Sequence, residues 1–357
     1  MQLNADGGAV LEAQVPIVAG KNLITAYAFN RDNIKSADAE LSLVGSKELK
    51  RGGTAYIFVA GVNQYANSSF NLRYAVSDAG DFGEELRRAQ LRIGNFTDIQ
   101  VIPLLDRSVT KANFIYGLQR LSQGEAATAP VGVPDILKKL KTAQPEDAVV
   151  IYFAGHGVAT PDGRFYLIPH DLGYDGPRTQ LDGTSLRSIL DHSISDRELE
   201  QALENIDAGQ LVFVIDACNS GQALESEEKR RGPMNSKGLA QLAYEKGMYI
   251  LTAAQSYQAA LEQRRLGHGY LTYALVEEGL KTPAADARPK DGQVELSEWL
   301  DYAVARVPLM QAGTATDAQG RILEQEDDSK KKTRDVQRPR VFYRSNTEAR
   351  QMIIARP

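Results

Sequence analysis

The chain has 357 residues, 43% hydrophobic and 24% charged, with a formal net charge of −5 and both signs mixed along its length. Such a chain can bury a sizeable core in one or two globular domains, and its charge excludes a general affinity for nucleic acid. The single cysteine, Cys218, excludes a disulfide within the chain and a cysteine-only metal cluster.

No apolar run reaches the roughly eighteen residues of a membrane-spanning helix, and the first thirty residues lack a basic start followed by a hydrophobic core. Cytoplasmic residence is therefore expected, and a free thiol suits a reducing compartment. Residues 1–50 carry short alternating runs, with Leu23, Thr25, Tyr27 and Phe29, then Leu41 and Leu43, between Gly and Asn turns. That pattern predicts antiparallel strands, either part of a β-sandwich cut at its amino end or accessory strands on the main domain.

From residue 54 the pattern changes to strands alternating with helices. Residues 54–62 read as the first core strand, and 72–91 as a helix with Val76, Ala79, Phe82, Leu86 and Ala89 on one face. Residues 99–106 read as a strand, and 111–122 and 134–144 as helices around a Gly/Ala/Pro-rich loop. Residues 148–157 form an all-apolar run that enters a small-residue turn carrying His156, with a hairpin arm at 165–171. In the segment 195–206, Ser195 stands as N-cap with Glu198 at the capping-box position. Residues 248–255, 267–280, 297–307 and 338–343 read as strand, helix, helix and edge strand, and 346–357 as a tail. Residues 222–238 read as an exposed charged loop and 311–335 as disordered. The alternation predicts an α/β fold with a mostly parallel, doubly wound sheet over residues 54–345.

Chemistry concentrates at two strand ends. Leu211 to Ile215 is an unbroken apolar run followed by Asp216, Ala217, Cys218, Asn219, Ser220 and Gly221. Open α/β sheets bind ligands at the carboxyl ends of their strands. If the strands of His156 and Cys218 are parallel neighbours, an imidazole stands beside a thiol and favours the thiolate, the nucleophilic form. The backbone N–H groups of Gly157 and Cys218 are then the natural oxyanion donors. The glycines around His156 have no evident packing role in the sequence, which favours a functional reading. His170 and His192 read as solvated loop residues.

The motifs YFAGHG (152–157) and DACNSG (216–221), each ending a hydrophobic strand, resemble the caspase-like cysteine peptidases, within them the metacaspase and bacterial orthocaspase branch. AYIFVAGVNQY, LRYAVSDA, GRFYLIPHDL, LTAAQSYQAALE and GHGYLTYALVEEGL follow the same pattern in order, so the resemblance covers about residues 54–345. It implies an α/β/α sandwich and a Cys218–His156 dyad, with no third member assigned. It also puts Asp78 and Asp216 on the positions that line the primary pocket of metacaspases, which cleave after Arg or Lys. A buried carboxylate pair is costly until a cation enters, and a guanidinium satisfies both members. Ala154 stands where the family often has Ser, which leaves the balance between Arg and Lys open. His268 resembles the helix start that the family carries near its cleft.

Ala254, Gln255 and Ser256 follow a core strand and suit pairing with an extended substrate. Lys229, Arg230 and Arg231 are candidates for activation by cleavage in the 222–236 loop, by the enzyme itself or an upstream protease, against the simpler reading of a solvated charge run. Many metacaspases need calcium; the sequence offers no EF-hand-like loop and no assignable metal ligands or cofactor. Expected partners are protein or peptide substrates with Arg or Lys at the cleavage site. Two other readings stand beside this one. One is a catalytically silent caspase-fold scaffold, which the intact Cys218 and His156 oppose. The other is a flavodoxin-like regulatory domain, which the lack of a Gly-rich phosphate loop opposes.

Overall fold

Strands with long apolar runs have two faces to cover, and this chain covers both. The computed structural model describes residues 10–28, 30–32, 34, 36–160, 164–219, 240, 243–244, 246–253, 266–282, 284–287, 289–311, 337–343 and 352–356. Two compact units result, Met1–Gly52 and Gly53–Pro357.

In the first unit, β1 (Gly20–Ala26) pairs antiparallel with β2 (Ala39–Gly45), with Leu23 opposite Ser42 and Thr25 opposite Glu40. Leu23, Leu41 and Leu43 are exposed to 39%, 54% and 38%. The alternation thus marks strands but no buried face, because among the described residues of this unit no second sheet lies over the ladder.

The second unit runs β3 (Thr54–Gly61), α1 (Ala75–Ile93), β4 (Asp98–Leu105), α2 (Lys111–Gln123), α3 (Asp135–Lys138), β5 (Ala148–Ala159) and β6 (Phe165–Ile168). It continues with α4 (Gly183–His192), β7 (Ile194–Ser195), α5 (Asp196–Glu204), β8 (Gln210–Asn219) and β9 (Tyr249–Thr252). Then come α6 (Tyr270–Tyr273), which passes into a π-helical stretch Ala274–Lys281, β10 (Val294–Glu295), α7 (Leu296–Gln311), β11 (Arg340–Phe342) and β12 (Ile353–Ala355).

The main sheet has the order β11-β9-β8-β5-β3-β4. From β9 to β4 every pair is parallel; β11 closes one edge antiparallel, and β6 adds antiparallel to the end of β5. The strand period of two sends alternate residues to opposite layers. Val149, Ile151 and Phe153 of β5, with Phe213 and Ile215 of β8, pack with Phe114, Leu118 and Leu121 of α2 and Leu199 and Leu203 of α5. Val150 and Tyr152, with Val212 and Val214, pack with Phe82 and Leu86 of α1 and Trp299 of α7. The result is an α/β/α sandwich with a mostly parallel central sheet. Helix α5 begins with the anticipated capping box, Ser195 and Glu198 each bonding the other's backbone N–H. No helix among the described residues is long and apolar enough to cross a membrane.

Three elements depart from the sequence reading. Within 134–144 only the single turn of α3 is helical, because the Arg120 guanidinium takes the carbonyls of Lys138 and Leu140 at 2.8 and 2.6 Å. The helix anticipated from 267 starts at Tyr270, since Gly267 is left-handed at φ +70° and the N–H of Gly269 is given to Asp78. The segment read as a tail contains β12, which pairs with β10 and is held to α1 by the Gln90 amide on the carbonyls of Ile353 and Ile354. Ile354 is fully buried. Of residues 311–335, where disorder was anticipated, Gln311 ends α7 and 312–335 lie outside the described residues.

If β12 belongs to the core, Ile354→Ala is expected to cost about 2–4 kcal/mol. Urea unfolding measures it; a loss below about 0.5 kcal/mol would mean the strand is dispensable.

Candidate active site

The carboxyl end of β5 does not turn at its glycines. The strand runs straight through His156 to Ala159, with Gly157 opposite Leu167 of β6 and Asn219 of β8. A Cβ on Gly157 would lie 2.8 Å from the Phe165 ring, and one on Gly155 would lie 3.0 Å from the Tyr65 hydroxyl oxygen. The glycines therefore do have a packing role, contrary to the sequence reading: they admit the aromatic groups around His156.

His156 is 5% exposed. Its Nε2 lies 2.7 Å from the carbonyl oxygen of Phe70, and its backbone N–H donates to the Tyr65 hydroxyl at 2.8 Å. A carbonyl only accepts, so the proton of the neutral ring sits on Nε2 and Nδ1 carries the lone pair. Burial pushes the imidazole down to about 4, with Arg178 adding to the effect and the Phe70 carbonyl opposing it. The ring is neutral at pH 7, the form that accepts a proton.

The loop that presents the Phe70 carbonyl is wired by side chains. Asp106 Oδ1 accepts from the N–H groups of Asn63 and Gln64 at 2.8 Å each. The Asn63 side chain accepts from Val76 N–H and donates to the Arg73 carbonyl. Asn71 accepts from Tyr65 N–H, and Asn67 donates to the carbonyls of Tyr174 and Gly176. Asparagine makes such bonds readily in loops. Sequence reasoning missed Phe70, whose contribution is backbone; the spacing of Asn63, Asn67 and Asn71 was the available signal.

Parallel pairing of β5 with β8 sets the rest. His156 is the register partner of Cys218, whose backbone lies within β8 rather than past its end, and Ala154 is the partner of Asp216. Imidazole-bearing and thiol-bearing residues thus stand side by side near the carboxyl ends of two central strands, an arrangement suited to nucleophilic acyl transfer.

Asp216 and Asp78 come together over the start of α6. Asp78 Oδ1 lies 2.7 Å from His268 Nδ1, and Oδ2 accepts from Gly269 N–H at 3.1 Å. Asp216 Oδ2 accepts from the Thr272 hydroxyl at 2.9 Å and lies 3.3 Å from the Tyr152 hydroxyl, which is itself 2.6 Å from Thr272 Oγ1. Burial, then repulsion from Asp78, pushes the Asp216 carboxyl up to about 7. Burial also raises Asp78, opposed by His268 and Gly269. Ala154 brings no hydroxyl to Asp216; Tyr152 and Thr272, neither singled out from sequence, bring two. Tyr152 shares the strand face of Ala154 by its spacing of two, whereas nothing in the sequence marks Thr272. Among the described residues no three acidic, histidine or cysteine groups are arranged to hold a metal ion.

His170 and His192 are held by the carbonyls of Gln64 and Ser188, and His192 is the last residue of α4, not the loop residue anticipated, because the helix capped by Asp182 runs on to it. Ala254, Gln255, Ser256, Lys229, Arg230 and Arg231 lie outside the described residues, as does the rest of the 222–238 loop.

A family profile described as "Caspase domain" matches residues 54–308. Metacaspase-1B of Aspergillus niger is 31% identical over 140 residues, 36% of this chain and 29% of the relative. Metacaspase-1B of Aspergillus terreus is 30% identical over 140 residues, 36% of this chain and 34% of the relative. The chain spans about a third of the length of these relatives.

The acid pair has a consequence for stability. Asp216 titrates at about 7 in the folded protein against 3.8 for the ordinary group. Between those values the folded state holds a proton that the unfolded state has lost, so this contribution falls as pH rises and stays low above 7. Asp216→Asn is expected to raise stability at pH 8 by roughly 1–3 kcal/mol and to leave it unchanged below the ordinary value. His156 acts in the opposite sense, losing stability as pH falls from 6.5 towards 4. Urea unfolding of Asp216→Asn across pH tests the sign; equal or lower stability at pH 8 would mean the carboxylate is not strained.

Proposed function

The chain belongs to the caspase-domain family, peptidase family C14, and from that premise we propose that it is a cysteine endopeptidase that cuts after arginine or lysine. The observation that carries the reading is the register of β5 with β8, His156 opposite Cys218 and Ala154 opposite Asp216. One strand pair supplies the reacting residues and, two positions earlier, the wall of an acidic pocket.

In this reaction His156 Nδ1 takes the thiol proton as Cys218 attacks the scissile carbonyl, while the Phe70 carbonyl holds the ring through Nε2–H. The same imidazole then gives its proton to the leaving amine, and water releases the acyl group. Backbone N–H groups of Gly157 and Cys218 are the assigned donors to the oxyanion. Asp78 and Asp216 receive the basic side chain on the amino side of the cut. A cation entering there offsets the repulsion and burial that raise Asp216. Both relatives are named metacaspases, and the acidic lining of the pocket supports a basic-residue preference in this chain.

Fluorogenic peptides ending in Arg, Lys or Asp, with and without calcium, test this reading. Arg and Lys peptides are expected to be cut. Cys218→Ala and His156→Ala are each expected to lower kcat/KM by about 10³-fold or more. Cleavage after Asp would sink the specificity, and activity that survives Cys218→Ala would sink the mechanism. Intact-mass analysis checks cleavage at Lys229, Arg230 or Arg231; a chain that stays whole while turning over peptides rules out activation at that site.

A further inference from the structure

The two carboxylates of the pocket are not equivalent. Asp78 has an imidazole partner built in: both its oxygens are bonded to residues 268–269, one of them to His268 Nδ1. Asp216 meets hydroxyls, and among the described residues no lysine, arginine or histidine pairs with it. Among the described residues, then, the acid without a cation is Asp216, and the acid already anchored is Asp78.

Between them lies Gly269. Its φ of −64° and ψ of 153° are open to any residue, so backbone freedom does not require glycine here. Space does. A Cβ at this position would stand 3.3 Å from Asp78 Oδ2 and 3.4 Å from Asp216 Oδ2, in the gap where the two carboxylates converge. The neighbouring His268 is held from several sides. Asp78 and, 3.7 Å away, Asp81 face it from α1, and Glu277 faces it at 3.4 Å from the π-helical stretch, with Lys281 paired to Glu277 in turn.

We propose that Gly269 and His268 set the cation specificity of this pocket, Gly269 by keeping the gap between the carboxylates open and His268 by fixing Asp78 as a charged wall opposite Asp216. The inference rests on the basic-residue reading given above. His268 is a positioning residue, because it reaches the substrate only through Asp78. The hydrogen bond to Asp78, aided by the surrounding acids, raises the His268 imidazole above its ordinary value, so the wall carries its own positive charge as pH falls. That charge offsets Asp78, whose repulsion is what raises Asp216 beyond burial.

The test compares wild type, Gly269→Ala and His268→Gln on Arg and Lys peptides from pH 5.5 to 9, with benzamidine binding by calorimetry as a measure of cation affinity that does not depend on turnover. Gly269→Ala, whose backbone fits alanine, is expected to raise KM and the benzamidine Kd by about tenfold while kcat falls less than about threefold. His268→Gln is expected to raise KM and to move the acid limb of kcat/KM to higher pH, since Asp78 without its imidazole partner repels the Asp216 charge uncompensated. Unchanged KM and Kd in Gly269→Ala, or a loss confined to kcat, overturns the role of Gly269. An acid limb that does not move in His268→Gln overturns the role of His268. Should His268→Gln not fold, NMR titration of wild-type His268 decides: benzamidine is expected to lower its pKa, and no shift overturns the coupling. Wild type that neither cuts basic peptides nor binds benzamidine overturns the basic-residue reading and takes this inference with it. Wild type that does both, with variants that match it, overturns this inference alone.

Discussion

The parallel pairing of β5 with β8 is the constraint on which the site depends. Side chains alternate along a strand, so a slip of one residue would exchange the faces of a whole strand. Here both faces are buried, with Phe213 and Ile215 in one layer and Val212 and Val214 in the other. Neither layer has room for the wrong set. The hydrophobic pattern thereby holds His156 opposite Cys218 and Ala154 opposite Asp216, and the polar ends of these strands inherit a register fixed by their apolar middles.

Polar groups placed so close to two cores need partners, and the chain supplies them from loops. Asp106, itself in the left-handed region at φ 46°, orders the turn after β3, and three asparagines carry that order to the Phe70 carbonyl. The corner before α6 does the same for Asp78 through His268 and Gly269. Such networks are stabilising only when every member is satisfied. The acid pair is bonded, yet Asp216 meets hydroxyls and the repulsion of Asp78, and there a cationic ligand has most to add.

Much of the fold was legible because its signal is periodic. Unbroken apolar runs gave β3, β5 and β8, and Ser195 with Glu198 gave the start of α5. Failures occurred where tertiary contacts outweighed local pattern. Arg120 drew the carbonyls of Lys138 and Leu140 away from a helix, and Gln90 brought a distant segment, Ile353–Ala355, into the core. Within the candidate site, the strand positions of His156, Cys218 and Asp216 could be read from the apolar runs, while the pairing of Asp78 with Asp216 came only with the family resemblance. Phe70 could not, since it contributes a carbonyl that any residue would carry. Gly155 and Gly157 were seen but misjudged, because what they accommodate, Tyr65 and Phe165, lies on other elements.

The pocket and the proposed nucleophile are linked by strand geometry. Asp216 and Cys218 are two residues apart on β8, a rise of about 6.6 Å at the usual spacing. On the proposed reading, a basic side chain bound at the first hangs from a backbone held near the second. The link also works through energy. Burial and repulsion oppose the charge on Asp216 in the empty pocket, and a guanidinium or ammonium removes that opposition by binding. An acidic side chain would enlarge it. On the proposed reading, the strain that lowers the stability of the free protein is the same quantity that favours one class of substrate over another. A more stable pocket, with a neutral residue at 216, would be a less selective one.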